Sequence, residues 1–361
     1  MATIEKLQIL QFRNLKNQYL EPNTNTSLFI GGNGQGKTNF IEALYYLSHN
    51  RSYKSKNIKD VVPFEKEFLQ IDAVVDSTRV LLKKSKNKNT ILFNQKKVSS
   101  NSRLTQLMPV QIISPDRGFV VGGPPKLKRS YLDWGVFHVN PGLLNTYKSY
   151  NKALKNTNML LTNNNTKQLE HWFNQVAALS VEITSARDDY IQKIRKTLTG
   201  SSIEPLKELI KKNNTFDFFL QSGWTKDANH TNQESVYEYL IKNKGLFAKL
   251  KHLNYGPHRA TVDYCLNNQN EQNLSRGEQK KLSIFYWMAQ VLVLVELNIK
   301  PIVLIDDISS ELDQEKINSI LGFLTKLDLQ IFITDIGGQP LPLDKKRSSI
   351  YKIDKGVIEK K

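Results

Sequence analysis

The run GGNGQGKT, Gly31 to Thr38, constrains this chain more than any other part of it. A strand-like stretch, Ser27 to Ile30, leads straight into it. The FIEALYYLS segment that follows places Phe40, Ile41, Leu44, Tyr45 and Leu47 on one helical face. Strand, glycine loop and helix, with G-x-x-x-x-G-K-[ST] across the loop, is the P-loop arrangement. Its glycines let successive backbone N–H groups turn inward, while the helix that follows presents its positive end to the same anion. Lys37 is spaced to reach the β- and γ-phosphates and Thr38 to ligate Mg2+, so the loop predicts a nucleoside triphosphate rather than a dinucleotide.

A P-loop enzyme needs a second carboxylate at the end of a buried parallel strand. PIVLIDDISSELD supplies one: Ile302 to Ile305 are the apolar run, Asp306 is placed to hold Mg2+ through its water shell, and Asp307 to orient an attacking water. Two aspartates after a strand also suit a turn or helix cap, and only the P-loop tips the reading toward chemistry.

The rest of the chain sets the frame. With 361 residues, 39% hydrophobic, it can bury a sizeable core as one large domain or a domain with an insertion. A formal charge of +17, from 51 Lys and Arg against 34 Asp and Glu, attracts polyanions, with nucleic acid or an anionic membrane as candidate partners and a solubilising surface as the plain alternative. Cys265 is the only cysteine, which excludes an intrachain disulfide and suits a reduced cytoplasmic setting. The start, MATIEKLQILQFRNL, lacks the apolar segment of a secretory signal, and the most apolar stretch, Trp287 to Val295, reads as a buried helix too short to span a bilayer.

Ile4, Leu7, Ile9 and Phe12 alternate as in a strand, and residues 68–98 read as short strands and hairpins. Lys83, Lys84, Lys86, Lys88, Lys96 and Lys97 there form either a phosphate-facing strip or a solvated edge. Residues 131–254 read as a helical insertion broken at the Asn-rich KNTNMLLTNNNTK, which should not sit inside a helix. Strand and helix alternation resumes near Tyr255 and ends in strand-like runs near Ile331 and Ile350. The expectation is one α/β head from residues 1–130 and 255–361, split by an insertion lobe at 131–254, with no heptad run able to build a long coiled coil.

The run LSRGEQ, Leu274 to Gln279, resembles the ABC signature. Ser275 with Glu278 is also a capping box for the apolar helix after it, and both roles can coexist. Added to FRNL (Phe12 to Leu15), SPD (Ser114 to Asp116), GGPPKLKRSYLDWG (Gly122 to Gly135) and GPHR (Gly256 to Arg259), it makes the chain resemble the RecF family, SMC-like ABC ATPases with a compact helical lobe in place of a coiled coil.

That resemblance implies an ATP-dependent homodimer that binds double-stranded DNA near single-strand gaps. It would hydrolyse ATP slowly under DNA stimulation and help load RecA together with RecR and RecO. Gly31, Gly32, Asn33, Gly34, Gln35, Gly36, Lys37, Thr38 and Asn39 would bind ATP, with Arg13 reaching its phosphates or base. Asp306 would bind Mg2+ with Thr38; Lys37 and Asp307 would serve catalysis. Ser275 and Gly277 would act across the dimer, and Asp313 would belong to an inter-subunit loop.

The sequence departs from the general ABC pattern at Arg276, at Glu278, and at Asp307, where most members carry glutamate; the shorter side chain predicts slow turnover. Asp335 follows IFIT where many members have a histidine, and neither it nor Gln111 is given a role. The competing reading is an ABC transporter motor subunit, against which the long insertion and the positive charge both argue.

Overall fold

The runs VQII, IVLI and IFITD are buried at every position, the pattern of parallel strands covered on both faces. In the computed structural model, which describes residues 2–114, 118–163, 167–200, 204–207, 214–337 and 340–361, they lie side by side. Val110–Ile113, Ile302–Ile305, Ile331–Asp335, Thr26–Ile30 and Ser348–Asp354 are successive parallel neighbours, and Val357–Lys360 closes the edge as an antiparallel hairpin. Pro115 and Asp116 of the SPD motif lie outside the described residues.

The chain divides into two compact units, Met1–Gly118 with Ser201–Lys212 and Ile284–Lys361, and Phe119–Gly200 with Asn213–Ser283. The first holds the parallel sheet and a second, antiparallel one ordered Gln18–Leu20, Ile4–Leu10, Phe68–Val75, Thr78–Ser85, Asn89–Phe93 and Lys96–Lys97. Strand Phe68–Val75 alternates strictly, turning Leu69, Ile71, Ala73 and Val75 inward. Helix Lys37–His49 contributes Phe40, Ile41 and Leu44 to the core that both sheets share. There Phe29 meets Phe40 at 4.3 Å and Tyr351 at 4.7 Å between ring centroids. Gln330, fully buried, ties the first strand to this core through both ends of its side-chain amide, Oε1 accepting from Ile4 N at 2.8 Å and Nε2 donating to Ile4 O at 2.9 Å and Asn23 O at 3.0 Å.

The second unit is built on helices Pro125–Val139, Leu144–Thr162 and Leu169–Thr199, with the shorter Gln233–Lys242 and Lys244–Leu250. The longest buries Phe173, Val176, Ala177, Ser180, Ile183, Thr184 and Arg187, a stripe at three- and four-residue spacing. Residues 155–162 of the Asn-rich stretch are helical, against expectation. Tyr150, Ala153, Thr157 and Leu161 form a buried stripe that outweighs the low helix propensity of asparagine.

The boundary between units also differs from the expected one. Thr261–Leu266 pairs along its length with Phe216–Gln221 and then with Gln269–Asn270, so residues 255–283 join the helices. Residues 119–130 join them too: Gly122 N donates to Glu271 Oε2 at 2.6 Å, and Lys128 forms a buried ion pair with the same carboxylate. The sequence signalled none of this, because strand pairing across a helical stretch leaves no local pattern. Among the described residues no helix is long and apolar enough to cross a membrane.

Gly135 shows how tightly the helices pack: a Cβ there would stand 2.0 Å from Cζ and 2.2 Å from the hydroxyl of Tyr190, which is 1% exposed. Gly135→Ala should therefore destabilise the protein by about 1–3 kcal/mol through overpacking, read as a lower urea midpoint.

Candidate nucleotide site

The P-loop is shaped by its glycines and braced from three sides. Gly34 and Gly36 have φ of 77° and 113°, conformations that side chains resist. Asn14, from the FRNL motif, donates to Gly34 O at 3.1 Å and accepts from Asn39 Nδ2 at 2.7 Å. The turn of the C-terminal hairpin grips Gln35: Lys355 N donates to its Oε1 at 2.6 Å and Gly356 N to its carbonyl at 2.9 Å. Lys37 is 6% exposed and folds back on the loop, its ammonium donating to Gly31 O at 2.7 Å and Gly32 O at 3.0 Å.

At the loop's end, Thr38 Oγ1 donates to Asp306 Oδ1 at 3.1 Å. Thr334 Oγ1 donates to the same oxygen at 2.8 Å and accepts from Asp307 N at 2.9 Å, while Ser114 Oγ donates to Asp306 Oδ2 at 3.3 Å. One buried carboxylate thus collects hydroxyls from the P-loop helix, from strand Ile331–Asp335 and from the residue after strand Val110–Ile113. Burial pushes the Asp306 carboxyl above its ordinary value of 3.8; the Thr334 and Thr38 hydrogen bonds, the charge of Lys54 and the Ser114 hydrogen bond oppose that rise. Asp307 holds φ 53° and ψ 56°, a left-handed conformation uncommon outside glycine and concentrated at functional sites.

The other expected site residues fall elsewhere. Arg13 is committed to the P-loop helix: Nε and Nη2 fork onto Glu42 at 2.5 and 2.7 Å, and Nη1 donates to Asp60 O at 2.8 Å. Glu42 is fully buried and also accepts from Ser52 Oγ at 2.5 Å, so Arg13 neutralises an internal carboxylate. Asp313 caps helix Gln314–Leu324, accepting from Lys316 N at 3.1 Å.

Ser275 and Gly277 belong to the second unit. The capping box forms there, with Ser275 N and Oγ both donating to Glu278 Oε2, at 2.9 and 2.7 Å. Gly277 faces open space at the helix start. Gln111 lies within a buried strand. Of the lysine strip, Lys84 turns inward and donates to Asn50 O at 2.9 Å, capping the P-loop helix, and Lys83 sits 3.7 Å over the Phe68 ring.

The sequence matches the family model for the RecF/RecN/SMC N terminal domain over residues 3–359. It is 30% identical to the DNA replication and repair protein RecF of Psychromonas ingrahamii over 99% of both chains. The chain belongs to the RecF family. The RecF of Cronobacter sakazakii is 29% identical over 99% of both chains. Among solved structures, the recombination mediator protein RecF-ATPrS superposes with a TM-score of 0.85 at 25% identity, over 99% of this chain and 98% of that one. The Smc head domain of Pyrococcus furiosus shares the fold, with a TM-score of 0.55 at 12% identity over 100% and 96%. An α/β head, with no long coiled coil among the described residues, is therefore the observed fold, and family membership decides against the transporter motor subunit.

Because the folded-state pKa of Asp306 lies above the unfolded one, the folded chain binds that proton more tightly. Asp306 then costs nothing at low pH and lowers stability progressively as pH rises from about 3.8 through the folded value. Asp306→Asn keeps an oxygen for both threonines and should melt higher than the parent at neutral pH without nucleotide or metal, the difference shrinking toward about pH 4. A difference that stays constant with pH would refute the burial cost.

Proposed function

We propose that this chain is an ATP-dependent DNA-binding protein of recombinational repair, a weak DNA-stimulated ATPase that closes as a homodimer on double-stranded DNA near gaps. The observation that carries the reading is the Thr38 hydroxyl and Asp306 carboxylate meeting at 3.1 Å at the end of a formed P-loop. Two hard oxygen donors side by side fit Mg2+, which takes few protein ligands and completes its shell from water and nucleotide phosphates. When bound, Mg2+ supplies neutralisation of phosphate charge.

The chain's own residues do the rest. Backbone N–H groups of Gly31 to Thr38, extended by Asn39, receive the phosphates, and Lys37 exchanges its loop carbonyls for β- and γ-phosphate oxygens. Asp307 accepts a hydrogen bond from the attacking water and orients it. Its short side chain and strained backbone suit slow turnover. Ser275 and Gly277 cover the γ-phosphate held by a second copy, and Asp313 lines the same contact. Arg13 acts at one remove, fixing the P-loop helix through Glu42 rather than touching ATP.

Relatives named as DNA replication and repair proteins, and one described as a recombination mediator in the RecFOR pathway, support placing the activity at RecA loading with RecR and RecO. A reduced cytoplasmic setting, associated with the nucleoid when DNA is held, follows from that role.

The deciding experiment is binding to a labelled gapped duplex without nucleotide, with ADP and with ATP, sizing the protein in parallel. ATP-specific dimers that hold DNA support the reading; a monomer indifferent to DNA in every state refutes it. Lys37→Ala should weaken ATP binding more than about tenfold, or about 1.4 kcal/mol. Ser275→Ala should leave ATP affinity intact and abolish ATP-dependent dimers; if dimers persist, Ser275 is a helix cap alone. Asp307→Asn should prolong the ATP-bound dimer on DNA, and unchanged turnover would remove it from catalysis.

A further inference from the structure

The GPHR motif, Gly256 to Arg259, has no part in the nucleotide site, yet the second unit is built around it. Gly256 holds φ 127°, and a Cβ there would stand 2.8 Å from the Tyr150 hydroxyl. Pro257 O accepts from Arg187 Nη1 at 2.8 Å, and Ala260 O from Arg129 Nη1 at 2.7 Å. His258 is fixed at both ring nitrogens: Nδ1 lies 2.8 Å from the Tyr150 hydroxyl and Nε2 lies 3.2 Å from Leu253 O. That carbonyl can only accept, so Nε2 carries the proton and Nδ1 accepts from Tyr150. Burial pushes His258 down to about 4, so the ring is neutral near pH 7.

The charges around this turn do not balance. Asp133, the carboxylate facing the cluster, is held by Arg187 through two bonds, at 2.9 and 3.1 Å, and by the Tyr147 hydroxyl at 2.7 Å. Arg187 is 3% exposed, and this pair is internal. Arg129 and Arg259 make no ion pair among the described residues, and Arg259 is exposed. Burial lowers the Arg129 pKa most, the charge of Arg187 adds to that, Asp133 opposes it, and Arg259 lowers it further. Two like charges held together by a rigid turn repel, and an anion between them relieves that cost. Among the described residues the Arg259 side chain makes no hydrogen bond, ion pair or ring contact, so no polar partner within the fold accounts for it.

We propose that Arg129 and Arg259 form a phosphate receptor that grips the backbone of duplex DNA. Arg129 is held to the Ala260 carbonyl, the residue after Arg259, and Arg259 is exposed on the same turn, so two guanidiniums at one turn are available to the phosphate backbone. The contact carries no sequence information and acts through charge. It rests on the DNA-binding function proposed above. A nucleotide offers the same phosphate chemistry, and the test separates the two sources.

The test measures affinity of the ATP-bound protein for a labelled duplex across a salt series, for the parent, Arg259→Ala, Arg259→Lys and Arg259→Glu. Loss of one phosphate contact should weaken binding equally on unrelated sequences and reduce the slope of log affinity against log salt by about 0.9. Arg259→Glu should be weaker still, and Arg259→Lys should keep most of the slope. ATP affinity without DNA should not change. Parent-like affinity and slope in both Arg259→Ala and Arg259→Glu would overturn the proposal, as would loss of ATP affinity with DNA binding intact. Arg129→Ala should reproduce the slope change, with its melting temperature measured alongside because Arg129 also anchors Ala260. A parent protein that binds no duplex in any nucleotide state defeats the functional reading itself and this inference with it.

Discussion

The carboxylate of Asp306 is the group on which the nucleotide unit depends. It is 3% exposed and raised above its ordinary pKa, and it survives inside the protein because three hydroxyls, on Thr38, Thr334 and Ser114, donate to it. Each hydroxyl comes from a different segment of the chain. Only the parallel register, with Ile305 beside Ile113 on one side and Ile333 on the other, brings these segments to the same level. The buried charge and the sheet order therefore fix one another: a strand slipped by one residue would turn Thr334 away and leave the carboxylate with fewer donors.

The same logic governs what could be read from residues alone. The P-loop was legible because its chemistry is local, with glycines, Lys37 and Thr38 at fixed spacing beside a strand and a helix. The strand carrying Asp306 was legible because four apolar residues in a row mark a strand covered on both faces. Asn14, Thr334 and the Lys355–Gly356 turn were not, although they shape the loop and hold its acid. Each reaches the site through pairing between distant segments, and none has a residue type that announces the role.

Arg13 pairs with an internal carboxylate for a related reason. The resemblance carried Arg13 of the FRNL motif over as a phosphate or base ligand, and Glu42, one turn beyond Thr38, is a residue type common on the outward face of a helix. Glu42 is instead fully buried, and a buried carboxylate without a cation is far more costly than a phosphate contact forgone. The Asn-rich helix erred in the opposite direction, since four buried side chains on one stripe outweighed a run of poor helix formers. In both cases burial, a property of the folded chain, overruled a preference read from neighbours.

Burial also determines where the charge of +17 must lie. Arg13 with Glu42, Lys128 with Glu271, and Arg187 with Asp133 each set one positive group against one negative group, so pairing of this kind removes equal numbers of both signs. It cannot reduce the surplus. Among the described residues Lys37, Lys84 and Arg129 turn onto backbone carbonyls without a carboxylate, but three such residues leave most of the excess on the surface. With most buried charges paired, and the buried Asp306 carboxylate adding to the positive excess left outside, the fold carries nearly all of its net charge outward. There the charge acts over a Debye length of about 8 Å at physiological salt and favours a partner as densely anionic as a nucleic acid backbone.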